Sequence, residues 1–402
     1  MRKNPDIVLF IIDCGRADRL PCYGYKGVNL PNVAGFAEKS IVYDRALCSA
    51  PYTTASFASY FTGNYPFNHG IRSMWHSSLY PDAVTVAQKL QDKGYNTAAF
   101  MGFSGLKSYG IMRGFDYVDQ KSNLNRRWGE LEGLKLGNDW RNDYKKWLKR
   151  NEGDDRPKFL CFHYFFSHAG SDKCIPFRHR GKGKGTGVFR HRNYDAKLAW
   201  CDAGFLRLVL KNTDLKNTIF VLAADHGESI FDEKKKEPSH REHLFDDTVR
   251  VPLIISCPGE EPRRIKQQVR TVDLFPSIFD KLGWEFGECD GNTKIFKPEK
   301  DYTAYFETRP SYTFRKGMCT RKWKVVFNKK KVEAIFDLKK NAKEDIDVGK
   351  KLATQYRDKK FKNKEALNLI KILRGMGGVG ESKVVKPTDD DMAKKLKALG
   401  YM

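Results

Sequence analysis

The sequence predicts an α/β protein with a large, mostly parallel sheet flanked by helices, followed by a smaller α+β appendage. Three observations carry this expectation. Strand-length apolar runs recur along the chain, helical stretches alternate with them, and two of the runs stop at acidic residues, Asp13 and Asp225. Uninterrupted apolar runs suit strands buried on both faces, and alternation with helices implies parallel crossovers.

In chain order, Asp6–Ile12 reads as a buried strand that delivers Asp13 to the sheet's carboxyl edge. Pro31–Lys39 reads as a short helix and Ile41–Ala46 as a second strand. Ala83–Lys93 is amphipathic, stops at Gly94 and leads into a strand over Thr97–Met101. Phe159–Phe166 is a further strand, Tyr194–Leu210 a long helix, and Thr218–Ala224 a strand ending in Asp225-His226-Gly227. Val251–Ser256 reads as one more strand, followed by a helix over Leu274–Leu282 that Gly283 closes. Beyond Cys289 the pattern changes to a hairpin (Arg321–Phe327 and Val332–Phe336), a lysine-rich helix (Val348–Leu373), a glycine turn (Gly375–Gly380) and a last helix (Asp389–Leu399). The expected division is therefore residues 1–288 as an α/β domain and 289–402 as a carboxyl-terminal subdomain with a small antiparallel sheet and helices.

At 402 residues the chain exceeds what one core usually serves. No run of eighteen apolar residues occurs, so no membrane span is expected. Met1–Pro5 leads directly into the first strand without a secretory apolar region, which makes a cytoplasmic location the expectation. Nine cysteines without C-x-x-C spacing suit free thiols better than disulfides or a zinc knuckle. The 73 basic against 49 acidic residues favour anionic partners. No zinc-finger spacing or aromatic RNA-binding motif accompanies the charge, so no dedicated nucleic-acid binding is expected.

The stretch Ala50–Gly63 puts a hydroxyl, Thr53, at a loop-to-helix junction. Alone, Thr53 reads as a helix N-cap. Asp225-His226 at a second strand end supplies a carboxylate and an imidazole side by side, and Asp13 a further carboxylate. Asp13, Thr53, Asp225 and His226 together form a four-ligand set for one divalent ion. Threonine is a poor nucleophile at its free pKa, and metal coordination is one route to activating it.

Several motifs resemble the sulfatase branch of the alkaline phosphatase superfamily. They are Ile11–Leu20 with Cys22-Tyr23-Gly24-Tyr25, Thr62-Gly63-Asn64-Tyr65-Pro66, and His69-Gly70-Ile71-Arg72. Asp225-His226-Gly227-Glu228, Val251–Ile255, Val272–Pro276 and Leu396–Tyr401 follow in the same order. The resemblance implies an alkaline-phosphatase-like sandwich and a nucleophile nine positions before Thr62, at Thr53. Sulfatases proper carry there a cysteine or serine oxidised to formylglycine, with an arginine four residues on. Here the position is Thr53, which cannot be converted to that aldehyde, and Phe57 stands four residues on in place of the arginine, so no formylglycine is expected and the likeness turns toward phosphoester-acting relatives. His168 and His240 are implied as the second catalytic histidine and the histidine at the leaving group. His163, inside an apolar run, reads as a core histidine, and His243 as packing or solvated. Arg241, Arg16 and Arg72 are the candidate substrate-binding cations; Arg16 and Arg72 also read as braces for the loops. Cys14 stands where many sulfatases have a second acidic residue. The set suits manganese or zinc first, with calcium or magnesium as further options.

The basic, glycine-rich segment Arg178–Arg192 reads either as a solvated loop or as a substrate-facing lid. The expected function is metal-dependent hydrolysis of a phosphate mono- or diester or phosphonate ester through Thr53, with a sulfate ester second. The substrate is expected to be an anionic small molecule or glycan. A phospho-alcohol transferase acting on a glycan and an inactive anion-binding module are the alternatives; the oligomeric state has no signature.

Overall fold

The computed structural model describes residues 4–73, 77–107, 109–119, 139–167, 186–230, 243–309 and 313–376. The amino-terminal half runs β1 (Asp6–Ile12), α1 (Pro31–Glu38), β2 (Ile41–Leu47), α2 (Thr53–Thr62), α3 (Pro66–His69), α4 (Val86–Gln91), β3 (Asn96–Met101), β4 (Tyr117–Val118) and α5 (Arg141–Arg150). Next come β5 (Lys158–Tyr164), α6 (Thr186–Trp200), α7 (Arg207–Lys211), β6 (Thr218–Ala224), α8 (Asp246–Val249), β7 (Arg250–Val251), β8 (Leu253–Ser256), β9 (Arg263–Arg270) and α9 (Leu274–Lys281). The chain then runs β10 (Ala304–Thr308), β11 (Arg315–Cys319), β12 (Trp323–Asn328), β13 (Lys331–Asp337), α10 (Ile346–Arg357) and α11 (Lys364–Gly375). It divides into two compact units, one made of residues 1–44, 81–240 and 251–266, the other of 45–80, 241–250 and 267–402.

The first unit is a mixed, mostly parallel sheet in the order β4-β3-β5-β1-β6-β8-β2. Pairings from β4 through β6 are parallel, and β8 runs antiparallel to β6 and β2. In β1 every residue from Ile7 to Ile12 is buried, each such apolar side chain contributing about 1.5–3 kcal/mol on transfer from water. Helices cover the sheet through aromatic contacts. Phe100 lies 5.2 Å from Tyr144 of α5 and 5.1 Å from Phe162 of β5, and Phe36 of α1 lies 5.0 Å from Phe220 of β6.

In the second unit α2 begins at Thr53, so the N-cap position falls to Tyr52, whose side chain makes no capping bond. Thr53 is the first helical residue rather than the cap that its local sequence suggests. Gly63 closes the helix in the left-handed region at φ 68°, where a Cβ is disfavoured. The antiparallel sheet β10-β11-β12-β13 packs α10 and α11 through a core that includes Val325, Phe327, Ile335, Ala353, Leu369 and Leu373.

Several elements depart from expectation for local reasons. The amphipathic helix begins only at Val86, because Thr85 and Gln88 form a capping box there. The strand over Val251–Ser256 is split at Pro252, which has no N–H for the ladder. The long helix starts at Thr186 and passes through a π-helical turn, Cys201–Leu206; residues 186–192 of the basic segment are therefore helical, and 178–185 lie outside the described residues. The single lysine-rich helix is two. Lys359 takes φ 59° after α10, and the Asn363 side chain accepts the Ala366 N–H to start α11. Residues 377–402, with the last expected helix, lie outside the described residues.

Candidate metal centre

The register of the sheet brings two acidic residues of the first unit together. Ile12 pairs with Ala224, so Asp13 and Asp225 are the first residues beyond the carboxyl ends of neighbouring parallel strands. On the other side of β1, His163 of β5 is level with Ile11. Parallel α/β sheets place ligands at these strand ends.

Asp13, Cys14, His163, Asp225 and His226 are all fully buried. The Cys14 N–H donates to Asp225 Oδ1 at 3.1 Å, as does the His226 N–H at 2.8 Å. His163 Nε2 lies 3.5 Å from Asp13 Oδ1, and His226 Nε2 3.4 Å from Asp225 Oδ2. His226 Nδ1 is 2.8 Å from the Gly227 carbonyl, which can only accept, so Nδ1 carries the proton and Nε2 is the atom turned to the carboxylates. Gly15 permits this approach of chains, since a Cβ there would meet Ala224 Cβ at 2.6 Å.

Among the described residues, two overlapping sets have ligand atoms within 4.8 Å of one another: Asp13, Cys14 and His226, and Asp13, His163 and Asp225. Burial, with the neighbouring Asp13 charge adding to it and His226 opposing it, pushes the Asp225 carboxyl up to about 6. His226 is raised: burial disfavours its charged form, but the charges of Asp225 and Asp13 outweigh that. Burial and the same carboxylates push the Cys14 thiol well up. Two enclosed carboxylates beside imidazoles and a thiol form a donor set that a divalent cation fits, because it would offset charges that are costly to hold without water.

The surrounding loops are braced. Arg16 Nη1 donates to the Glu228 carbonyl at 2.9 Å while Nε and Nη2 bind Asp18. Tyr194 accepts the Arg16 N–H at 2.8 Å and donates to the Cys14 carbonyl at 2.7 Å.

Thr53 and Arg72 belong to the second unit. Thr53 is 6% exposed. Arg72 forms two bonds to the enclosed Glu307 carboxylate, Nε–Oε1 at 2.7 Å and Nη2–Oε2 at 2.8 Å. His168, His240 and Arg241 lie outside the described residues. Cys14 and His163 were not among the expected ligands. The register of β5 beside β1 brings His163 to this place, while in the sequence its apolar neighbours read as core.

Comparisons with known proteins agree with this fold. A family model described as Sulfatase matches residues 5–284. The chain is similar to the ulvan-active sulfatase of Formosa agariphila, 24% identical over 320 residues, covering 68% of this chain and 61% of that protein. It is 23% identical over 340 residues to the uncharacterized sulfatase YidJ of Escherichia coli, covering 69% of this chain and 67% of that one. The crystal structure of the phosphonate monoester hydrolase of Agrobacterium radiobacter superposes with a TM-score of 0.64 at 17% identity, covering 89% of this chain and 94% of that chain. The chain thus spans about three fifths of the first of these relatives.

Proposed function

Because the chain belongs to the sulfatase family, we propose that it is a metal-dependent hydrolase of an anionic ester, with phosphate or phosphonate esters preferred over sulfate. The observation that carries the metal-dependent part is the convergence of Asp13, Asp225 and His226 at neighbouring strand ends, fully enclosed.

In this reading Asp13, Asp225 and His226 hold one divalent ion, with Thr53 as fourth ligand. Manganese or zinc suits carboxylates mixed with imidazole. Bound there, the ion would supply Lewis-acid stabilisation of the ester oxygens and a lowered pKa for a hydroxyl.

The rest of the chemistry falls to the chain's own residues. Thr53 Oγ1 attacks phosphorus, its proton leaving to a base, while the bond to the leaving alcohol breaks. His168 gives that alcohol its proton, and His240 assists at the same oxygen. Water then cleaves the Thr53 ester, restoring the hydroxyl and releasing the free anion. The preference for phosphorus rests on Thr53 and Phe57: a threonine cannot become the formylglycine aldehyde, and no arginine stands four residues on. The relatives named for sulfated substrates and for phosphonate esters bracket this choice.

The test is a panel of aryl phosphate, phosphodiester, phosphonate and sulfate substrates offered to metal-loaded protein. Turnover of a phosphorus ester supports the reading. Turnover of sulfate alone overturns the preference.

A further inference from the structure

Lys324 of β12 is wholly enclosed, and its ammonium is surrounded by acceptors. Nζ donates to Asp246 Oδ1 at 2.8 Å and to the Leu244 carbonyl at 3.2 Å, and it also meets the Glu344 carboxylate. Glu344 Oε2 in turn accepts the Asp246 backbone N–H at 2.6 Å. Arg45 of β2 completes the group, with Nη1 2.5 Å from Asp246 Oδ2 and Nη2 3.0 Å from Oδ1. Two cations and two carboxylates thus balance. Buried ion networks of this kind seldom stabilise a fold beyond what apolar packing would achieve, and their best use is to fix one arrangement over others.

This network is connected to the stretch that precedes α2. It pins the backbone of Leu244 and Asp246, and α8 carries that anchorage to Val249, whose carbonyl accepts the Cys48 N–H at 2.9 Å. Arg45, held by Asp246, lies on the strand that leads to Cys48. From β10 the Glu307 N–H donates to the Ser49 carbonyl at 3.0 Å. Arg45, Cys48 and Ser49 are therefore each tied down a few residues ahead of α2.

We propose that Lys324 and Glu344 are positioning residues for the Thr53 hydroxyl, acting through Asp246, Arg45 and the Cys48–Ser49 backbone. This rests on the reading of Thr53 as the nucleophile. Neither residue need touch substrate. Misplacing a reacting atom by about 1 Å can lower turnover about 100-fold.

The test compares wild type with the charge-balanced double variant Lys324→Met/Glu344→Gln, which leaves the Arg45–Asp246 pair neutral overall. Hydrogen exchange of peptides covering residues 45–57 and 243–250 is read beside the thermal midpoint, kcat and KM. The double variant is expected to fold, to exchange roughly tenfold faster in those two peptides but not across β1 and β6, and to lose about 100-fold in kcat with KM unchanged. A folded double variant with wild-type exchange and wild-type kcat overturns the proposal, as does faster exchange spread evenly over the chain. If the double variant does not fold, Glu344→Gln alone is read for the same localised change, and its absence overturns the proposal. If no substrate on the panel is turned over, the reading of Thr53 fails and the exchange pattern still decides whether the network holds this stretch.

Discussion

The Cys14 backbone N–H donates to Asp225 Oδ1 across 3.1 Å, tying the loop after β1 to the first residue beyond β6. Asp225 is thereby a structural acceptor as well as a candidate ligand, and a substitution can separate the two. Asp225→Asn keeps an oxygen for the Cys14 and His226 N–H groups but removes the charge. Metal affinity should fall by more than the 10- to 100-fold typical of residues outside the coordination shell. The metal-free variant should unfold no more easily than metal-free wild type, because one of two adjacent enclosed carboxylates has been neutralised. Equilibrium dialysis and thermal melts read both; unchanged affinity would remove Asp225 from the ligand set.

His163 sits 3.5 Å from Asp13 Oδ1 inside the same enclosure. His163→Leu keeps the apolar character of β5 while deleting both ring nitrogens. We expect metal affinity to drop about 10- to 100-fold as Asp13 loses its orienting neighbour. Wild-type affinity would return His163 to the role of a core residue.

His69 predicts an acid-sensitive fold. Its ring is fully buried, with Nδ1 accepting the Ile71 N–H at 3.1 Å and Nε2 3.0 Å from Ser59 Oγ, and burial lowers it from 6.5 to about 3. A lowered folded-state value contributes stability that is fully present above the unfolded value and is lost as pH falls through the folded one. The window is therefore pH 6.5 down to 3. Between pH 7 and 4.5 the loss should reach ~3 kcal/mol from this residue. Urea unfolding at the two pH values, in wild type and His69→Gln, checks it: the variant should show a correspondingly smaller difference between them, and an equal difference in both proteins would contradict the assignment.

These residues also mark how far the sequence was legible. The strands that deliver Asp13 and Asp225 were readable because burial on both faces demands continuous apolar runs, and an acidic residue ending such a run stands out. The strands β9 and β11 were not, because Arg263–Arg270 and Arg315–Cys319 carry charged or polar side chains through much of their length. That His163 and Cys14 lie beside the Asp13 and Asp225 carboxylates was hidden for a different reason. Their neighbourhood is created by register between β1, β5 and β6, which local pattern does not contain. The break at Lys359 was hidden by good helix formers on both sides, and only the Asn363 cap betrays it.

Arg72 and Glu307 make a second stability prediction. Glu307 is fully enclosed, and Arg72 is its bidentate partner. Arg72→Met should destabilise the protein by about 3–5 kcal/mol, because it leaves a buried carboxylate without its cation. Arg72→Met/Glu307→Gln should recover much of that loss. A single variant as stable as wild type would free Arg72 for a role at the substrate.

The most direct test of the account is to strip the protein with a chelator and return manganese or zinc stepwise while following hydrolysis of an aryl phosphate. The account predicts no turnover without metal, recovery that saturates at one ion per chain, and no recovery in Asp13→Asn or Asp225→Asn. Full turnover by the stripped protein, or normal recovery in both variants, would contradict it.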